Sequence, residues 1–339
     1  MINHTERADL EAFLAERYGV AVGDVAFEMR PVQESGLTAV VTQATARRAD
    51  GGRERLVFKR LLPHDRREAM AYDALASAGL AHLAPQLLGR LCGERSQYLC
   101  LEYIKRWTTW PWRDVSCTAL VLDTLATLHG TGNHLHLDTS WDYEAELHGS
   151  AEHSVRLLDE TLARVPDARL HRGRPVLRRF TALLPAVREE LLRNAVFLHG
   201  DVHPGNIRLQ RRGRRAVLLD WGRARRGSRF EDVASWLQCL RYYEPAAARA
   251  HDGLLRHYLH QAGLGNGPSA AHRRAYWLAA GSNALAGALH VHLARVLHAA
   301  TPFERDAAVN AAADWLRILR RSLAWWDYAP GQDTSTTAA

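Results

Sequence analysis

Residues 197–209, FLHGDVHPGNIRL, and 216–224, AVLLDWGRA, decide the reading of this chain. They hold short apolar runs of strand type at 195–198, 207–209 and 216–219, and around these stand Asp201, Asn206 and Asp220. Aspartate and asparagine are ordinary turn formers and Pro204-Gly205 is a turn signal, so an Asp followed by an Asn at this spacing means little alone. Strand, loop, strand and a closing aspartate together form a much rarer pattern. It supplies one carboxylate that can orient a hydroxyl and two hard oxygen donors of the kind magnesium prefers.

Upstream of this stretch the chain reads as a short helix, strands, one further helix and more strands. Thr5 can cap a helix whose Leu10, Phe13, Leu14 and Tyr18 share a face, with Gly19 ending it. Residues 25–32 and 37–46 read as strands joined by the turn 33–36. The run RLVFKRLL, 55–62, is a third strand that puts Val57, Lys59 and Leu61 on one face. Residues 65–78 have helical spacing with Gly79 as C-cap, and strands follow at 86–91 and 97–104.

From about residue 105 the texture turns helical, at 118–129, 143–165, 176–193, 230–243, 246–262, 270–297 and 303–326. The expected fold class is α+β in two lobes, a sheet lobe over 1–104 and a mostly helical lobe over 105–329. The tail, 330–339, has nothing to bury and is expected to be disordered.

Composition narrows the function classes. No stretch supplies the roughly 18 uninterrupted apolar residues a membrane span needs, and the first residues lack the apolar segment of a signal peptide. A cytoplasmic protein without a membrane partner is expected. The four cysteines are far apart with no C-x-x-C spacing, which argues against a zinc cage or a disulfide framework. The net charge of +7 permits nucleic-acid binding, but no helix-turn-helix, zinc or aromatic-basic signature accompanies it. No nucleic-acid partner is expected, and the oligomeric state stays open. The arginines gather between Arg208 and Arg229; those at 211–215 read as a solvated hairpin tip. Of 44 basic residues only Lys59 and Lys105 are lysines, so a lysine inside an apolar strand marks a site that needs a compact ammonium.

The order Asp201, Asn206, Asp220 is similar to that of kinase catalytic loops. His199, Gly200, Asp201, Asn206, Asp220 and Trp221 together resemble the hallmark of the aminoglycoside-phosphotransferase family, which includes choline-kinase-like enzymes. The segment GSRFEDVA, 227–234, resembles that family's G-x-x-x-x-D-L-A, with Val233 in place of leucine. The resemblance covers roughly 35–237. It implies a two-lobed protein-kinase-like fold and an ATP-dependent transfer of phosphoryl to a hydroxyl of a small molecule, an antibiotic or a metabolite. GTP as donor stays open. By the same resemblance Asp201 is the catalytic base, Asn206 and Asp220 hold Mg2+, and Asp232 braces the loop through backbone hydrogen bonds. Lys59 lies in a strand like V-A-I-K and pairs with Glu68, with Val57 packing on adenine. Ser35, Gly36 and Thr38 cover the phosphates, and Glu102, Tyr103 and Ile104 form the linker beside adenine.

Two other readings stand beside this one: a non-catalytic pseudokinase, and a basic nucleic-acid-binding protein. Neither needs Asp201, Asn206 and Asp220 all in place. On the substrate side, the acidic run Asp138, Asp142, Glu144 and Glu146 reads as helix-start acidity. Arg223, Arg225, Arg226 and Arg229, just after Asp220, suggest an acceptor with negative charge or dense hydroxyls.

Overall fold

The computed structural model describes residues 4–19, 26–31, 40–47, 51–61, 66–92, 97–105, 109–210 and 215–328. The chain has a two-lobed fold, an N-terminal sheet lobe with a helix and a C-terminal lobe that is mostly helical. Two compact units partition it. The first takes in Met1–Pro111, Leu135–Thr139 and Gly205–Ala224; the second takes in Trp112–His134, Ser140–Pro204 and Arg225–Ala339.

In the first unit, helix α1 (His4–Tyr18) precedes strands β1 (Ala26–Pro31), β2 (Val40–Arg47) and β3 (Arg53–Leu61). Helix α2 (Arg67–Ser77) follows, then β4 (Leu87–Cys92) and β5 (Gln97–Glu102). The five strands pair antiparallel in the order β1-β2-β3-β5-β4. Alternation along β3 sorts its side chains to two faces. Leu56 and Phe58 join Leu10, Leu14, Ala44, Tyr98 and Cys100 in a core sealed by α1. Val57 and Lys59 take the opposite face. Phe13 meets Phe58 edge-on, with ring centroids 6.3 Å apart. A Cβ on Gly89 would sit 2.5 Å from the Phe13 ring, so glycine is what lets α1 lie this close to β4. Strands β7 (Ile207–Gln210) and β8 (Arg215–Leu218) form a separate hairpin.

The second unit holds α3 (Val115–Thr131), α4 (Tyr143–Arg164), α5 (Ala168–Leu192), α6 (Arg229–Tyr243), α7 (His251–Gln261), α8 (Ala270–Asn283), α9 (Leu289–His298) and α10 (Pro302–Asp327). Strands β6 (Val196–Leu198) and β9 (Arg225–Gly227) pair antiparallel beside them. Helix α10 packs along α5, α8 and α9.

The helix expected at 176–193 starts earlier, at Ala168. The Asp167 carboxylate accepts hydrogen bonds from the amides of Arg169 and Leu170, so the helix is capped there and runs on through Pro175. The helix expected at 270–297 is two helices. A wider turn at Ala284–Ala288, where Gly287 leaves helical backbone (φ 172°, ψ −34°), separates them. The stretch 246–262 likewise splits into a 3-10 segment, Pro245–Ala250, and α7. Strand β9 was not foreseen. The expected tail at 330–339 and the turn at 33–36 lie outside the described residues.

Candidate active site

In the first unit Lys59, Glu68 and Asp220 come together. Lys59 Nζ lies 2.5 Å from Glu68 Oε2 and 2.7 Å from Asp220 Oδ1. The β3 pleat aims the lysine at α2, and Glu68 in the first turn of α2 meets it. Burial alone would lower the lysine's pKa, but the two carboxylates outweigh it and hold the pKa above the ordinary value, so the ammonium stays charged. Glu68 is more deeply enclosed, and burial raises its pKa although Lys59 opposes this. The charge on Glu68 therefore depends on Lys59.

Asp220 is the one non-glycine residue among those described with positive φ (φ 62°, ψ 74°). Left-handed backbone is costly for a β-carbon residue and gathers where the surroundings enforce it. Here Trp221, fully buried, anchors the turn by donating its indole N–H to the Leu218 carbonyl at 3.0 Å. The next residue, Gly222, would bring a Cβ to 3.4 Å from Asp220 Oδ1. The Leu219 amide donates to the Asn206 carbonyl at 2.7 Å and ties the start of β7 to the end of β8.

Asp220 and Asn206 both offer hard oxygen donors, and the Asp220 side chain is 49% exposed. That donor set suits magnesium, which keeps several waters and relies on one or two carboxylates plus phosphate oxygens. Among the described residues no three or more His, Cys, Asp or Glu gather into a metal cage of their own.

The other expected residues of this unit are placed as follows. Val57 stands opposite Leu101, and Leu56 opposite Glu102, across β3 and β5. The Glu102 amide donates to the Gln86 carbonyl at 2.9 Å, and the Gln86 amide donates back to Glu102 Oε2 at 3.1 Å. Tyr103 and Ile104 follow the strand end, half-buried, with the Arg55 guanidinium 5.5 Å over the Tyr103 ring. Ser35, Gly36 and Thr38 lie outside the described residues.

In the second unit Asp201 follows Gly200, whose φ is 85°. Asp232 Oδ2 accepts the His199 amide and Oδ1 accepts the Gly200 amide, both at 2.8 Å. His199 Nδ1 in turn accepts the Asp201 amide at 3.2 Å. Asp232 is buried, which would raise its pKa, but hydrogen bonding and charge from His129 with the backbone amides hold it below the usual carboxylate range. His129 Nε2 sits 3.1 Å from Asp232, and its Nδ1 2.8 Å from the Tyr258 hydroxyl. Asp232 thus braces the segment that presents Asp201, as the motif implied. His129, which closes the LATLH run, and Tyr258 stand behind it, a pairing that was not foreseen. His203 Nε2 stands 3.7 Å from Asp201 Oδ2.

Two of the arginines after Asp220 are structural, which corrects their reading as acceptor ligands. Arg225 is buried, donates to Glu231 Oε2 at 2.6 Å and stacks 3.7 Å over the Tyr143 ring. Arg226 donates to the carbonyls of Asn133 (2.7 Å) and Ala195 (2.5 Å). Across the β6–β9 pair their stems alternate into packed surroundings, and their planar heads find fixed acceptors there. Three residues of the acidic run stand at the helix start as expected: Asp142 caps α4, and in its first turn Glu144 holds Arg188 and Glu146 accepts from the Trp141 indole.

The sequence model of the phosphotransferase enzyme family matches residues 37–278, and the chain belongs to that family. Its class of activity is ATP-dependent phosphoryl transfer to small molecules, in which ATP with Mg2+ is typical. No curated protein matches the chain by sequence. Among solved structures it is similar to amicoumacin kinase hAmiN in complex with AMP-PNP, Ca2+ and Ami, at 11% identity over 93% of this chain and 96% of that one, TM-score 0.61. A choline kinase from Cryptosporidium parvum Iowa II matches at 12% identity over 93% and 95%, TM-score 0.61. An aminoglycoside phosphotransferase from Alicyclobacillus acidocaldarius matches at 17% identity over 89% and 91%, TM-score 0.59. At these identities the likeness is one of fold. No described helix is long and apolar enough to cross a membrane.

Proposed function

We propose that this chain moves the γ-phosphoryl group of ATP onto a hydroxyl of a small molecule, a metabolite or an antibiotic, in the cytoplasm. The observation that carries the reading is the Lys59 ammonium held between Glu68 and Asp220 in a chain whose one other lysine is Lys105. A positioned compact cation suits phosphate oxygens, and a neighbouring carboxylate of Asp220 type suits the metal. The similar structures include a choline kinase and an amicoumacin kinase, which favours a small acceptor.

In this reading Asp201 accepts the proton of the acceptor hydroxyl as its oxygen bonds to the γ-phosphorus. The bond from that phosphorus to the β–γ bridging oxygen breaks, and ADP leaves. Lys59 balances charge on the phosphates, Glu68 holds Lys59 in place, and Asn206 and Asp220 hold magnesium. Magnesium, when bound, offsets negative charge on the phosphate oxygens. Val57 and the backbone from Glu102 to Ile104 receive adenine, and Ser35, Gly36 and Thr38 cover the phosphates. Residues 1–104 serve as the nucleotide lobe and 105–329 as the catalytic and substrate lobe.

The test is ADP release, dependent on magnesium, over a panel of hydroxylated metabolites and antibiotics, repeated with Asp201→Asn. With a substrate in hand, the variant is expected to lose about a thousandfold or more in turnover while ATP affinity stays within a few-fold. Unchanged turnover would refute Asp201 as the base.

A further inference from the structure

The backbone that carries Asp201 is held from two sides. Gly200, just before it, lies in the left-handed region at φ 85°. The peptide plane ahead of Gly200 is pinned at the Gly200 amide, which Asp232 Oδ1 accepts at 2.8 Å. The plane that joins Gly200 to Asp201 has two polar ends. Its N–H, that of Asp201, donates to His199 Nδ1 at 3.2 Å, and its C=O, that of Gly200, accepts from Arg225 Nη1 at 3.4 Å. A peptide plane turns as one rigid piece, so turning this one changes φ at Asp201 and swings its Cα–Cβ bond. The two partners therefore set where the carboxylate points.

The bond from Arg225 is long, but its donor is fixed. Nη2 of the same head donates to Glu231 Oε2 at 2.6 Å, and the guanidinium lies 3.7 Å over the Tyr143 ring. Glu231 is fixed in turn. Its Oε1 accepts the Ser228 amide at 2.8 Å and stands 3.1 Å from Arg188 Nη1, and its backbone carbonyl accepts from Asn283 Nδ2 at 2.7 Å. Arg188 then grips Glu144 with Nε at 2.9 Å and Nη2 at 2.8 Å. Burial would raise the Glu231 pKa, but Arg188 and then Arg225 hold it below the usual carboxylate range, so the charges alternate along the whole array. Gly227 makes room for it, since a Cβ there would come within 2.6 Å of Glu231 Oε1 and 2.7 Å of Leu198 Cδ1.

Glu144, Arg188, Glu231 and Arg225 are four charges in a row, and the last three are buried. Such an array is a poor source of stability, because desolvation offsets most of the attraction. What it supplies is fixed geometry, and it ends on the residue before Asp201.

We propose that Arg225 is a positioning residue for the base: through the Gly200 carbonyl it fixes the plane between Gly200 and Asp201, and Glu231, Arg188 and Glu144 hold it in place. The proposal rests on the reading of Asp201 as the base. Two consecutive carboxylates of α6 then serve one glycine, Asp232 at its amide directly and Glu231 at its carbonyl through Arg225. Without Arg225 the plane hangs from His199 alone, and a displacement of about 1 Å at a reacting group costs about a hundredfold in rate.

Arg225→Lys tests this. Lysine keeps a charge beside Glu231, but one nitrogen cannot serve Glu231 and the Gly200 carbonyl as two guanidinium nitrogens do. Turnover is expected to fall by about tenfold to a hundredfold while KM for ATP stays within about twofold. Arg226→Lys is the control: Arg226 lies on the same strand but donates to Asn133 and Ala195, so its loss should lower melting and leave turnover unchanged. Amide hydrogen exchange gives a readout that needs no acceptor. The Asp201 amide should exchange about tenfold faster in Arg225→Lys, with the amides of α10 unchanged. If Arg225→Lys does not fold, Glu144→Gln loosens the array from its exposed end and should lower turnover by about threefold or more, with faster exchange at Asp201. Wild-type turnover or wild-type Asp201 exchange in the folded variant, or an equal loss of turnover in Arg226→Lys, overturns the proposal and leaves Asp201 as the base. A chain that transfers no phosphoryl group, or an Asp201→Asn variant as active as wild type, overturns the proposed function, and the positioning role falls with it.

Discussion

Replacing Lys59 by methionine separates what the lysine does for the fold from what it does for chemistry. Its ammonium is 2.5 Å from Glu68 and 2.7 Å from Asp220, with side-chain exposures of 9% for Lys59, 3% for Glu68 and 49% for Asp220. Without the cation Glu68 becomes an uncompensated buried charge, which costs about 3–5 kcal/mol. Asp220 is half in water and adds about 1 kcal/mol at most. Burial already raises the Glu68 pKa, so in the variant Glu68 takes a proton more readily than in the unfolded chain. The loss of stability should therefore shrink as pH falls. Adding Glu68→Gln removes the orphaned charge and should return most of the stability at neutral pH. Activity should not return, because a missing cation at the phosphates costs about a hundredfold to a thousandfold in turnover. Urea unfolding of the two variants and wild type gives the stability, and initial rates at saturating magnesium and ATP give the chemistry. Recovery of rate together with stability in Lys59→Met/Glu68→Gln would refute the phosphate role of Lys59. A wild-type unfolding midpoint for Lys59→Met would refute the burial argument.

Other substitutions probe the remaining inferences. Lys59→Arg should lose at least about tenfold in turnover, since a planar head cannot sit where one nitrogen meets two carboxylates, whereas exposed Lys105→Arg should be silent; equal rates for Lys59→Arg and wild type would sink this. Arg225→Met should cost about 3 kcal/mol in urea unfolding, because Glu231 loses a buried partner. Arg188, 3.1 Å from Glu231, keeps the loss from being larger, and an unshifted midpoint would show the pair to be dispensable. His292 is held down to a pKa of about 4 by burial and then by Arg295. A depressed histidine pKa means the unfolded chain takes the proton first, so stability should fall as pH drops from about 6.5 to 4. His292→Gln should flatten that slope by about 3 kcal/mol in total and leave stability above pH 7 unchanged by this term. Parallel slopes in wild type and variant would contradict it.

Local chemistry explains how much of this was legible beforehand. The strand carrying Lys59, the helix opening at Glu68 and the loop before Asn206 follow from alternation, helical spacing and turn residues, which act over a few residues. The lysine stood out because all but two of the 44 basic residues are arginine. The Asp232 bracket was readable only through its motif, since nothing local says that a carboxylate will reach amides 32 and 33 residues away. His129 and Tyr258, which back that carboxylate, were out of reach for the same reason. Helix ends failed where a cap or a packing demand overrode a proline, as at Asp167 and Pro175. The left-handed backbone at Asp220 was not legible, because aspartate enters that region more readily than most residues but is also an ordinary turn former.

The arginines after Asp220 show why charge counts along a sequence mislead about ligands. A guanidinium carries five donors in a plane, and when buried it must find acceptors for them. Arg225 finds Glu231 and the Tyr143 face, and Arg226 finds two backbone carbonyls. Both heads are held by fixed partners, so neither supplies the positive field that would favour an anionic acceptor over a cationic one. What separates a binding arginine from a structural one is whether the fold has already satisfied it. An acceptor panel should accordingly give polyamines and sugar acids equal standing, and a preference for either would have to come from side chains other than Arg225 and Arg226.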